Sequence, residues 1–293
     1  MARVRFVQAA AALGLAFVAG FQAPGSAGAA AAGSPPPLSR APDGRALALA
    51  FSDDFDSWRP FRHGQGVWRT WFRDGTGEPL TERTLAGNKE LQLYVDPDWA
   101  PDGGPPIGIS PFTLHDGMLD IRLEPTPARL KERLSGYRYV SGLISSQPSF
   151  RQLYGYFEMR AKLPRGKGIW PAFWLLPADL EWPPEIDVME SVGDPSKVYV
   201  TLHSKAAQSQ GTEVPVSADA FHTYAVEWDA RTVAWYVDGR EVKRLPTPAD
   251  MHKPMYLLAN IASGGDWAGA PDASTPFPAR LTIDFIRAYR FAS

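Results

Sequence analysis

Apolar residues in this chain recur with a period of two, and that rhythm constrains the fold more than any other feature. Gly117-Met118-Leu119-Asp120-Ile121-Arg122-Leu123 alternates cleanly, and residues 154–163 alternate aromatic or apolar with charged or small. Residues 221–236 hold two more such runs, which lead into Val237-Asp238-Gly239, a hairpin turn signal. Another run, Leu281-Thr282-Ile283-Asp284-Phe285-Ile286-Arg287-Ala288-Tyr289, lies near the C-terminus. Successive side chains of a strand point to opposite faces, so each run can bury one face and wet the other. No long stretch repeats every 3.6 residues; residues 127–134, about two turns, are the best helix candidate. Many strands without alternating helices predict an all-β, antiparallel sandwich or barrel rather than a parallel α/β sheet.

The first residues read as an export signal. Arg3 and Arg5 make a charged start, residues 6–18 form an apolar run too short to span a bilayer, and Ala27-Gly28-Ala29 offers a small-x-small cleavage site. Residues 1–29 are therefore expected to be a signal peptide, and the protein to be secreted or periplasmic. Residues 30–46, rich in Ala, Gly, Ser and Pro, are expected to be a flexible leader, and residues 47–293 a single domain. With no cysteine, no disulfide contributes, so packing or a bound ion must hold the fold. The net charge of −2 shows no basic stripe, and Gly64-Gln65-Gly66 is no phosphate cradle, so nucleic acid is not an expected partner. After signal removal no membrane partner is expected either, and the chain is expected to act as a monomer. Fifteen Phe, ten Trp and ten Tyr supply flat faces that suit sugar rings as well as a core.

The most informative stretch is Trp182-Pro183-Pro184-Glu185-Ile186-Asp187-Val188-Met189-Glu190-Ser191. In a regular strand Glu185 and Asp187 share one face, Ile186 and Val188 the other, and Glu190 has the wrong parity. One β-bulge near Val188-Met189 shifts Glu190 back and lines up all three acids. Crowded carboxylates titrate apart, so one attacks as an anion while another keeps a proton for the leaving oxygen, the pairing that retaining glycoside hydrolysis needs. The plainer alternative is an acidic strand whose charges are merely solvated, although adjacent like charges on one face repel.

With these residues the chain resembles glycoside hydrolase family 16, the laminarinase and lichenase family. The Glu185 to Glu190 string is similar to the family's bulged catalytic signature. Gly87-Asn88-Lys89-Glu90-Leu91-Gln92, Tyr154-Gly155-Tyr156-Phe157-Glu158-Met159-Arg160-Ala161-Lys162 and Gly168-Ile169-Trp170-Pro171-Ala172-Phe173-Trp174 resemble family segments in the family's order. So do Phe221-His222-Thr223-Tyr224, Trp235-Tyr236-Val237-Asp238-Gly239 and the closing Ile283 to Tyr289 run. The resemblance implies an antiparallel β-sandwich, a concanavalin A-like jelly roll whose concave sheet carries an open cleft. It implies Glu185 as nucleophile, Asp187 as assistant and Glu190 as acid/base in a retaining endo-β-glycanase that cuts internal β-1,3/1,4 bonds of a polysaccharide. The run Pro246-Thr247-Pro248-Ala249-Asp250-Met251-His252 and Trp182-Pro183-Pro184 look most like the branch acting on bacterial exopolysaccharides. Leu143 stands where laminarinase-like members often have Arg, which points away from a simple β-1,3-glucan.

The resemblance further implies that Trp170, Trp174, Trp182 and Trp267 line sugar subsites, that His203 reaches the cleft, and that Asn88 and Glu90 bind sugar hydroxyls. For Trp170 and Trp174 a core position, for His203 a structural one, and for Asn88 a turn-forming role stay open. Catalysis implies no cofactor, and the five histidines show no metal-ligand spacing. A structural calcium held by Asp54 and Asp284 is implied by family members that bind one near both chain ends. A transglycosylase of the same fold and a non-catalytic carbohydrate-binding jelly roll remain as alternatives.

Overall fold

A computed structural model of the protein describes residues 34–72 and 75–292. The expected signal peptide, residues 1–29, lies outside the described residues. Two sheets face each other. The larger, of ten strands, runs in the order Arg240–Pro246, Thr232–Val237, Phe221–Trp228, Gly155–Lys162, Ala279–Phe291, Met118–Pro125, Tyr139–Ser141 and Gln92–Tyr94. Leu47–Asp53 also pairs with Ala279–Phe291, and Phe112–His115 with Met118–Pro125. The smaller sheet orders six strands as Gln210–Pro215, Lys197–His203, Glu185–Glu190, Ile169–Pro177, Met255–Ser263 and Leu143–Ser145. The antiparallel sandwich expected from the alternation is what forms, with one parallel pair, Gln92–Tyr94 beside Tyr139–Ser141.

The alternation decides what lies between the sheets. Phe157, Met159 and Ala161 from the larger sheet meet Ile186, Val188, Val198, Val200 and Leu202 from the smaller one, all essentially buried. Each of these larger side chains contributes roughly 1.5–3 kcal/mol on leaving water, so this layer carries the stability that no disulfide supplies. The hairpin at Asp238-Gly239 has φ of 50° and 74°, the left-handed pair of a type I′ turn, which suits Gly at the second position.

Two expectations need correction. Residues 127–134 form a 3-10 turn at Ala128–Leu130 and then tight turns, not a two-turn helix. Their apolar residues are few, and Leu130 and Leu134 serve a side cluster with Trp99 and Ile107. The expected leader, from residue 34 onward, is laid against the outer face of the ten-stranded sheet rather than left loose. Ser34 Oγ donates to Asp284 at 2.5 Å, Pro35 O accepts from Arg287 Nη1 at 2.6 Å, and Leu38 N donates to the Tyr289 hydroxyl at 3.2 Å. Arg45 meets Glu227 at 2.7 Å and Asp229 at 2.8 Å. These anchors are backbone groups and single polar atoms, which a composition rich in small residues does not advertise.

Candidate active site

The acidic strand Glu185–Glu190 sits between Ile169–Pro177 and Lys197–His203, and its register breaks on both sides. Against the first, Phe173 pairs with Met189 but Trp174 pairs with Asp187; against the second, Tyr199 pairs with Glu190 but Thr201 with Asp187. Two residues, Val188 and Met189, thus stand opposite Val200 alone, which is the bulge the parity argument requires. Both turn into the core, while Glu185, Asp187 and Glu190 line one groove. The bulge also rotates a peptide: the Asp187 carbonyl accepts from Trp235 Nε1 at 2.8 Å, donated from the opposite sheet through the core. A buried carbonyl left without that donor would cost about 1–3 kcal/mol.

Each outer acid has its own indole. Trp182 Nε1 donates to Glu185 Oε2 at 2.5 Å, and Trp170 Nε1 to Glu190 Oε1 at 2.9 Å. Asp187 faces His203, whose Nε2 lies 3.1 Å from Oδ2, a close approach without the alignment of a good hydrogen bond. Burial and then the neighbouring Asp187 push the Glu185 carboxyl well above the ordinary range, while the Trp182 donor pulls the other way. Burial and Asp187 likewise raise Glu190 well above it, against the Trp170 donor. Burial pulls His203 down, but Asp187 outweighs it and the net shift is upward. Glu185 and Glu190, crowded by the charge of Asp187 between them, therefore hold a proton beyond the usual carboxylate range.

The groove, about 500 Å³ in volume, runs from Trp182 and Leu180 past the acids to Asn88 and Glu90. Trp170 and Trp174 line it, since they share parity with Ala172, the partner of Glu190, and Trp174 at the same time belongs to a buried cluster with Phe72 and Tyr94. Trp174 is only 7% exposed and donates from Nε1 to Asn260 Oδ1 at 2.7 Å, so it forms floor rather than a free platform. Trp182 and Trp267 are 57% and 42% exposed, uncommon for indoles and suited to a sugar face. Trp267 stands edge-on to Trp170 at 5.3 Å and to Tyr199 at 4.9 Å.

Asn88 is exposed at the rim, in a turn where Lys89 is left-handed at φ 58°. Glu90 is buried, and its oxygens are taken by Gln92 Nε2 at 2.7 Å, Leu85 N at 3.2 Å and Asn88 Nδ2 at 3.3 Å. Burial raises its carboxyl even against those donors. Glu90 thus shapes the end of the groove through the turn it holds. Lys89 ties this turn to the Trp267 segment through Asp266 at 2.7 Å.

Asp54 and Asp284 are not presented as a cation cage. Asp54 Oδ1 accepts from Arg287 Nη2 at 2.6 Å, and Asp284 Oδ2 from Arg160 Nη1 at 2.5 Å. Both acids are thus matched to guanidinium groups, and calcium, which takes six to eight oxygens, would need further ligands beside them. Among the described residues no group of three or more His, Cys, Asp or Glu side chains comes together in a metal-binding arrangement.

The sequence profile of glycosyl hydrolases family 16 matches residues 115–287, more than half of the chain and the whole of the acidic strand. The chain belongs to that family. It is 41% identical over 260 residues to the endo-1,3-1,4-beta-glycanase EglC of Rhizobium meliloti (strain 1021), covering 86% of this chain and 54% of that protein. It is 40% identical over 254 residues to the endo-1,3-1,4-beta-glycanase ExsH of the same organism, covering 84% and 52%. The chain thus spans about half the length of each. Among solved structures, the endo-beta-1,3-glucanase from Pyrococcus furiosus superposes with a TM-score of 0.70 at 27% identity, covering 86% of this chain and 97% of that one.

Within this family framework the sequence reading missed several residues of the groove, among them Asn260 and Tyr94. Asn260, buried, receives the Trp174 indole and donates from Nδ2 to the Tyr94 hydroxyl at 3.0 Å. All nine residues of Met255–Ser263 are buried, so alternation could not tell its core face from its groove face. Tyr199, which stands against Trp267, was accessible to parity, because it shares its face with Thr201 and His203.

Proposed function

We propose that this family 16 chain is a retaining endo-β-glycanase, secreted or periplasmic, that cleaves internal β-1,3/1,4 bonds of a neutral β-glucan or a bacterial exopolysaccharide. One observation carries the reading: the bulge at Val188-Met189 puts Glu185, Asp187 and Glu190 along one groove. The names of the two Rhizobium relatives support the linkage, and a groove that continues on both sides of the acids supports internal cutting. The charged start and apolar run of residues 1–18 support export.

Glu190, 9% exposed, is the more enclosed of the outer acids and is the better keeper of the proton. Glu185, half-buried and facing the cleft, is the better anion, with Trp182 donating to it. In the first step Glu185 attacks the anomeric carbon, and the bond to the leaving sugar breaks as Glu190 protonates its oxygen. In the second, Glu190 takes a proton from water, which attacks the same carbon and releases Glu185. His203 stands beside Asp187, its Nε2 3.1 Å from the carboxylate, between the two outer acids. The chemistry is carried by side chains alone.

The test is reducing-end release from laminarin, lichenan and succinoglycan-type polymers. Glu185→Ala and Glu190→Ala each abolish it while leaving the circular dichroism spectrum intact, and proton NMR shows the first product anomer as β. Near-normal turnover in either variant, or an initial α signal, removes the assignment.

A further inference from the structure

A bulge is a point where a strand can relax, and something must hold this one in the phase that aligns the acids. In a bulge, one peptide group loses its ladder partner. Here the carbonyl of Asp187 lies beside the bulge residues Val188 and Met189, and Trp235 reaches it from the facing sheet, 48 positions along the chain. Trp235 has no exposed surface, and its strand pairs it with Val226 on one side and Lys243 on the other. The strand Arg240–Pro246 has its own irregularity there, which sets Lys243 Nζ 5.5 Å from the centre of the indole ring. Lys243 in turn donates to Gln210 O at 2.6 Å, on the edge of the smaller sheet, so the ring is seated by both sheets. We propose that Trp235 is a positioning residue: its indole N–H fixes the Asp187 peptide and with it the relative phase of Asp187 and Glu190, without touching substrate.

The same core supplies a matched control. Trp228, on the neighbouring strand, is buried to the same degree, yet its indole nitrogen has no hydrogen-bond partner among the described residues. Replacing either tryptophan by Phe removes a comparable ring volume, and only one replacement removes a hydrogen bond to the bulge. A purely structural role for Trp235 therefore predicts that the two variants behave alike.

The inference rests on the hydrolase reading of the groove, and the experiment separates the two. In the full chain, kcat and KM are measured on lichenan for wild type, Trp235→Phe and Trp228→Phe, alongside thermal unfolding. Both variants are expected to unfold at lower temperature. Trp235→Phe should lose at least about tenfold in kcat with KM changed by less than about twofold, whereas Trp228→Phe should stay within about twofold of wild type in both. A second variant covers the case in which Trp235→Phe does not fold: 3-benzothienylalanine at position 235 keeps the ring shape and replaces the N–H by sulfur. It should unfold near the wild-type temperature and show the same kcat loss. Equal kcat in the two Phe variants, or full activity with the sulfur analogue, overturns the positioning role while leaving the hydrolase intact. A wild-type protein that releases no reducing ends from lichenan, laminarin or succinoglycan-type polymers overturns the hydrolase reading, and the inference falls with it.

Discussion

On the outer face of the ten-stranded sheet, buried acids are matched to partners. Glu227, 1% exposed, meets Arg45 at 2.7 Å; Asp284 meets Arg160; Glu158 accepts from the Tyr289 hydroxyl at 2.7 Å. In the groove of the six-stranded sheet, Asp187 and Glu190 are buried and Glu185 half-buried, and the three crowd one another, with an indole for each outer acid and an imidazole for the middle one. Burial raises the carboxyls of Glu158, Glu185, Glu190 and Glu227 alike; on the outer face Arg287 pulls Glu158 back and Arg45 pulls Glu227 back, while in the groove Asp187 pushes further up. The difference teaches where the molecule uses charge to hold itself together and where it keeps charge strained for chemistry.

The comparison breaks most readily at Glu190. Glu190→Gln should lower kcat by about 10²–10⁴-fold, as expected for loss of a general acid, and yet raise the unfolding temperature at pH 7. The sign follows from linkage. The folded-state carboxyl holds its proton above the ordinary range, so between the unfolded value near 4.5 and the raised one ionisation opposes folding, and stability falls as pH rises through that window. Gln escapes this, and the gain should vanish near pH 4, where Glu is protonated in both states. Unfolding scans at the two pH values decide; a variant less stable than wild type at pH 7 would put Glu190 in the outer-face class.

Arg45→Ala is the mirror experiment. It leaves Glu227 buried without its partner and should cost about 2 kcal/mol, a figure reduced because the Arg45 side chain is 33% exposed. Denaturant titration should show the loss, with kcat of the folded protein unchanged. The smallest effect belongs to His203→Asn, under about 1 kcal/mol. The folded-state value of His203 is raised, so its contribution is complete below about pH 6.5 and disappears as pH climbs through the raised value. The variant should be destabilised at pH 6 and match wild type at pH 9; equal loss at both would mean that His203 serves packing alone.

Much of this was legible in the chain itself because the strands that carry it have one wet face or one functional face. The alternation of residues 117–123 and 154–163 located strands, and the parity clash at Glu190 located the bulge before any coordinates. Legibility failed where both faces of a strand are dry, as in Met255–Ser263, which hid Asn260. It failed again where backbone atoms make the contacts, as in residues 34–46 against the outer sheet. Asp54 and Asp284 read from the sequence as calcium ligands near both chain ends; the arginines that meet them lie elsewhere in the sequence, and no spacing rule announces them.

The bulge makes this site a matter of counting as much as of chemistry. Removing Val188 would keep every acid, indole and imidazole named here and would restore the even rhythm of the strand, with residue 190 two places after Asp187 and still on the groove face. Such a protein should retain its sandwich and all three acids in the groove, whereas a strand of the present length straightened without its bulge would turn residue 190 into the core.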